Sequence, residues 1–273
     1  MKEAVKDQSV EPKVVIMTVY PQDADKWLVR NHDKNRRLRP GKVKEYVEDM
    51  KAGRWVLSDQ AISFNVIGDL INGQHRLSAV QQSGVSIKSL VLWNCPDRSL
   101  LVIDGGMKRS TNDRFSMAGK SYPAGCGATV RRLVMGMNSY AGESISDWRV
   151  DEFMVDNGEA VAFVHKVTAK HKITLAPVRA VLARAKIKRI AGERIERFCE
   201  VLGTGIMGSG ENAAVLLRNH ILELKQHAAG SGTARQQLYA MTEASLAAFL
   251  AGDRPTKLKA AKDELFPISG DKF

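Results

Sequence analysis

The run Ile71-Asn72-Gly73-Gln74-His75-Arg76-Leu77-Ser78-Ala79 places a glycine, polar side chains and an arginine where an apolar strand pattern gives way to a helical one. That combination suits an anion. Glycine lets the backbone approach a phosphate, the first N–H groups of the helix point outward with the positive end of its dipole, and Arg76 offers a two-pronged fork. On the residues alone a second reading stands beside this one, in which Gly73 makes a turn and Arg76 pairs with a nearby carboxylate. His75, with a reference pKa of about 6.5, is a candidate acid, base or phosphate donor, or else a hydrogen-bonded turn histidine. Asn72 and Gln74 complete the candidate cradle. Arg36, Arg37 and Arg39, grouped around Asn35, could finish a phosphate pocket, grip a DNA backbone or simply be solvated. Asp104, in Ile103-Asp104-Gly105-Gly106, could hold a metal or orient a ribose, or bond its own turn.

Certain elements must position these residues. Val14 to Val19 form a β-rich run closed by Pro21, and a short helix follows over 23–28. Pro40 opens a clearer helix with Val43, Val47 and Met50 on one face and Gly53 as its stop. Ile62, Phe64 and Val66 alternate with polar residues before Gly68-Asp69, which predicts a hairpin through Ile71. The pattern then reads as glycine turn and short helix, stopped by Gly84, and as another strand over 86–93. Ser110, Thr111 or Asn112 caps a helix that stops by Gly119.

Beyond residue 120 alanine, leucine, arginine and lysine at helical spacing predict helices over 123–141, 146–170, 174–202, 211–229 and 233–266. The fold class is therefore α+β: a mobile tail at 1–12, a small α/β domain at 13–119 and a helical domain at 120–273. Arg179, Lys186, Arg189 and Arg197 lie in the densest basic stretch and could share one helical face that tracks phosphates, or be a solvated face. A helix-turn-helix with its break at Ala191-Gly192 is conceivable, though nothing identifies a recognition helix. The pairs His165/His171 and His220/His227 lack the company that makes a metal site, and no metal is expected. The glycine run 203–210 lacks the ending of a phosphate-binding Walker loop.

The ordered set Asn35-Arg36, Gly53-Arg54-Trp55, Ile62-Ser63-Phe64, the run from Leu70 to Ala79, and Ile103-Asp104-Gly105-Gly106 with Arg109 resembles the ParB/sulfiredoxin-like superfamily. It looks closest to the ParB-like proteins of phages and plasmids. The resemblance covers residues 14 to about 115, and the helical remainder, including Leu250 to Pro267, looks like the tail such phage proteins carry. It implies a small α/β domain whose glycine-x-x-arginine box, with Arg36, touches the phosphates of a nucleotide, CTP or ATP with Mg²⁺. Gln74 stands where sulfiredoxins carry their reactive cysteine, which excludes sulfiredoxin chemistry. Gln74 and His75 also stand where ParB proteins carry a glutamate and an arginine, which puts hydrolysis of the ParB type in doubt. Asp104 gains weight as a site residue from this resemblance.

The 273 residues are 44% hydrophobic and 26% charged, enough for a buried core and unlike a disordered or fibrous chain. No apolar run approaches a membrane span, the first residues lack a secretory core, and Cys95, Cys126 and Cys199 lie too far apart in sequence for a CxxC pair. A cytoplasmic protein without a membrane partner is expected. Lysine and arginine outnumber aspartate and glutamate by 41 to 30, a net charge of +11, which favours a polyanionic partner. The expected function is DNA association by a ParB-like protein of a phage or other mobile element, with a phosphate or nucleotide site at the Gly-Gln-His-Arg box and a homodimer as one arrangement. The alternatives are a nuclease or nucleotide-dependent phosphotransferase, and a module that binds a host protein.

Overall fold

A computed structural model of the chain describes residues 11–33, 35–96, 109–137, 144–226 and 232–268. The chain divides into two compact units, one within 1–108 together with 142–148, the other within 109–141 together with 149–273. The division thus falls near residue 108, where 119 was expected, because the capped helix at 111–117 packs with the helical half.

The first unit runs β1 (Lys13–Val19), α1 (Pro21–Leu28), α2 (Pro40–Lys51), β2 (Ile62–Asn65), β3 (Leu70–Asn72), α3 (Gln74–Ser83) and β4 (Ile87–Cys95). Its sheet has the order β1-β4-β2-β3. β1 pairs antiparallel with β4, Val19 opposite Ile87 and Lys13 opposite Trp93. β2 and β3 form the expected antiparallel hairpin. β2 and β4 run parallel, so the chain must cross over between them, and α3 lies in that crossover. Val19, Val43, Met50, Ile62, Phe64, Leu70, Leu77, Val80 and Val91 make the core between sheet and helices. Trp93 stacks on Phe64 at 4.2 Å, and Trp27 stands edge-on to both rings at 5.1 and 5.6 Å. These contacts hold α1 against the sheet, and α3 packs on α1 and α2.

The second unit contains α4 (Thr111–Met117), α5 (Cys126–Met135), α6 (Asp147–Lys170, whose first two residues belong to the first unit), α7 (Ala176–Ile187), α8 (Gly192–Thr204), α9 (Asn212–Gln226) and α10 (Gly232–Ala251). Ser110 caps α4 by accepting from the Asp113 N–H, and Asp113 accepts from the Ser110 N–H in return. The expected helix over 174–202 is two helices. Arg189 adopts φ 64° in the gap between them, which a continuous helix does not allow. The expected helix over 233–266 ends at Ala251, where Gly252 turns left-handed at φ 76°. Residues 252–268 continue without regular structure and bury Phe266 and Ile268. Among the described residues no helix is long and apolar enough to cross a membrane. Asp104 lies outside the described residues.

Candidate phosphate cleft

Gly73 is the hinge from which the site is built. It sits at φ 104°, and a Cβ placed there would lie 3.0–3.2 Å from Ile62 on the neighbouring strand. Both the backbone and the space demand glycine, which lets β3 turn directly into α3. No side chain caps the N-terminus of α3, whereas at α2, which begins at Pro40 with Arg39 as its N-cap, the Arg39 N–H is taken by the His75 ring. These two helix starts border the same cleft of about 850 Å³.

The cleft wall carries the cations Arg36, Arg39, Lys42 and Arg76, the polar side chains Asn35, Asn72, Gln60, Ser58 and Ser144, and the rings of Tyr46 and Trp55. Among the described residues that line it there is no carboxylate. Two positive helix ends and a set of cations without a lining anion make an attractive field for phosphate. Trp55 is half-buried, with its ring edge-on to Tyr46 at 5.1 Å, so it joins the core and the cleft at once.

The polar residues of the box are held by the protein itself. Gln74 is buried, donates to the Arg36 carbonyl at 2.5 Å and accepts from Asn31 Nδ2 at 3.2 Å. Asn35 Nδ2 in turn reaches Asn31 Oδ1 and the Leu70 carbonyl, both at 2.7 Å. Gln74 therefore pins the arginine-bearing loop to α3, and an ionised glutamate could not donate to that carbonyl. His75 is buried, and its Nε2 accepts the Arg39 N–H at 3.0 Å. Burial lowers its pKa first, and Arg36, Arg39 and Lys42 lower it further, so the ring is neutral near pH 7 and suited to accepting. His75 thus anchors the start of α2. Arg76 directs Nη2 to the Ala61 carbonyl at 2.7 Å and Nη1 to the Gln60 carbonyl, while Asn72 Nδ2 reaches Ala61 at 3.3 Å. Arg76 thus clips the segment entering β2 while it lines the cleft.

Arg36 and Arg39 are exposed on the rim, and Arg37 is exposed beside them without lining the cleft. Lys42, Tyr46 and Ser144 were not singled out in the sequence. Lys42 carries a readable signal, in the first turn of a helix opened by Pro40, whereas Ser144 lies 99 residues from its partner Glu45 and has none.

The basic stretch of the helical unit does not make the shared face expected of it. Arg179 is buried, with Nε on Thr168 Oγ1 at 2.9 Å. Arg197 forks onto Glu211 at 2.7 and 2.9 Å and reaches Glu200 at 2.9 Å, and its guanidinium holds the Glu211 carboxyl below the usual range. Lys186 lies over the Phe163 ring at 4.6 Å. Arg189 is exposed but stands in the turn after α7. Of the expected metal-free histidines, His165 is buried against Thr129 Oγ1 at 3.0 Å. No protein-family profile, no curated protein and no solved structure matches the chain.

Proposed function

We propose that this is a DNA-associated protein of the ParB-like kind found in phages and plasmids, whose cleft at α2 and α3 binds the phosphates of a nucleotide or of DNA. One observation carries the reading: the N-termini of α2 and α3 open on one cleft lined by Arg36, Arg39 and Lys42, with no carboxylate among the described residues of the lining. CTP or ATP fits this chemistry, with the phosphates at the helix ends and the Trp55 and Tyr46 rings available to a base. The described residues of the lining offer Mg²⁺ no carboxylate, and there the ion would be held through phosphate oxygens, where it would screen their charge. The net charge of +11 favours association with DNA, and the exposed Arg36, Arg37 and Arg39 provide its first contacts.

A thermal-shift panel of CTP, ATP and GTP with Mg²⁺, run beside a salt-dependent DNA titration, tests this in wild type and in Arg36→Ala/Arg39→Ala. A ligand that binds only the folded state raises the melting temperature. The double variant keeps the Arg39 amide that His75 holds and the Arg36 carbonyl that Gln74 holds, so it should fold and lose the shift. Nucleotide and DNA binding unchanged in that variant would remove the cleft from the reading.

A further inference from the structure

Behind the cleft, α2 buries two carboxylates one turn apart, Glu45 and Asp49, and each takes a serine hydroxyl from the returning segment 144–148. Ser144 Oγ donates to Glu45 Oε2, and Ser146 Oγ donates to Asp49 Oδ1 at 2.9 Å. Their cationic partners differ in a way that matters. Asp49 is paired with Arg54 Nε at 2.9 Å, away from the cleft wall, whereas Glu45 is paired at 2.5 Å with Lys42, which lines the cleft and lies 4.4 Å from the Tyr46 ring centre. Ser144 lines the cleft as well. A ligand anion in the cleft and the buried Glu45 carboxylate therefore share one lysine.

We infer that Lys42, Glu45 and Ser144 form a relay that reports occupancy of the cleft to segment 144–148 and so to the first turn of α6. The inference rests on the cleft binding a phosphate-bearing ligand. When phosphate draws the Lys42 ammonium toward itself, Glu45 loses part of its neutralisation while remaining buried. Its bond to Ser144 becomes the main compensation for its charge and strengthens, as hydrogen bonds to less neutralised carboxylates do. The pair Asp49, Ser146 is an internal control on the same helix, since Arg54 does not line the cleft. Charge also makes Glu45 an opponent of the ligand: it lies behind the one lysine of the lining, so removing its charge should favour phosphate.

Hydrogen exchange of the full chain, with and without pyrophosphate or CTP, reads the relay at amides 144–150. In wild type the bound probe should slow exchange there by about fivefold, the factor that about 1 kcal/mol of added bond strength gives. Glu45→Gln should bind the probe more tightly yet lose this response. Ser146→Ala should keep the response. Calorimetric binding with unchanged exchange in wild type, or a response that survives Glu45→Gln, would overturn the relay and leave the cleft assignment standing. Absence of heat with either probe would overturn both.

Discussion

The two units place their positive charge in opposite ways. In the first, Arg36, Arg39 and Lys42 line an open cleft beside two helix starts. In the second, arginines are directed onto the carbonyl-rich ends of helices. Arg184, 1% exposed, donates from Nε and Nη2 to the Leu133 carbonyl at 2.9 and 2.6 Å and pairs with Glu264 at 3.3 Å. Arg194 reaches the Phe249 and Leu250 carbonyls at 3.2 and 2.9 Å, and Arg218 reaches Leu202 at 2.9 Å and Gly203. Helix C-termini carry unpaired carbonyls and the negative end of the dipole, which a guanidinium satisfies on both counts. A charge count therefore mixes cations that can meet a ligand with cations that hold the fold, and in this chain the densest basic stretch belongs largely to the second class.

The comparison breaks most visibly at Arg184. Arg184→Ala removes the ion pair with Glu264 and reopens the Leu133 carbonyl, and should cost about 3–5 kcal/mol in chemical denaturation. An effect below 1 kcal/mol would mean the internal arginine is dispensable. Arg39→Ala, in contrast, should leave stability within about 0.5 kcal/mol of wild type.

A second, slightly smaller effect comes from acid. Burial, with Arg179 adding to it, lowers the pKa of His165 to about 4 from 6.5. The folded state therefore favours the neutral ring: its contribution is full above pH 6.5 and is lost as pH falls from 6.5 toward 4. Hydrogen exchange in α5 and α6 should show a loss of up to about 3 kcal/mol across that window, absent in His165→Gln. Wild type and variant tracking each other through it would contradict this account.

Much of the architecture was readable because its signals are local. Pro40 and Gly53 bracket α2, Ser110 and Asp113 form a box three residues apart, and Gly73 and Gly84 bracket α3. The α+β class follows from those signals. What escaped is what depends on distant partners. Arg184 finds its carbonyl 51 residues away and Arg194 finds its own 55 and 56 residues away, so both read as surface charge in a linear scan. At the site the Gly-Gln-His-Arg box stands out in the sequence and borders a cleft, but the bonds its members make inside the protein were not visible. Gln74, His75 and Arg76 each bond to main-chain atoms 15 to 38 residues away, and those bonds fix what they can offer a ligand.

The next effects are smaller and sit in the first unit. Gly73→Ala forces a left-handed backbone and a Cβ onto Ile62, and should cost about 1–3 kcal/mol, read by the denaturation midpoint. Gln74→Glu replaces the donor to the Arg36 carbonyl by an acceptor and should cost about 1–3 kcal/mol at pH 7, with less cost at pH 4 where the carboxyl is protonated and can donate again. Equal stability of Gln74→Glu and wild type at both pH values would show that the amide bond does not hold the loop.

The central claim is that the cations around the cleft, rather than those of the basic helical stretch, are the ones that meet a phosphate ligand. Fluorescence titration of a labelled DNA duplex across a salt series tests it most directly, with Arg36→Ala/Arg39→Ala beside Lys186→Ala/Arg189→Ala. Both pairs remove two positive charges, so net charge alone would affect them equally. The account predicts that the cleft pair loses affinity and about 2 units of salt slope while the helical pair stays near wild type. The reverse order, or equal loss in both, would contradict it.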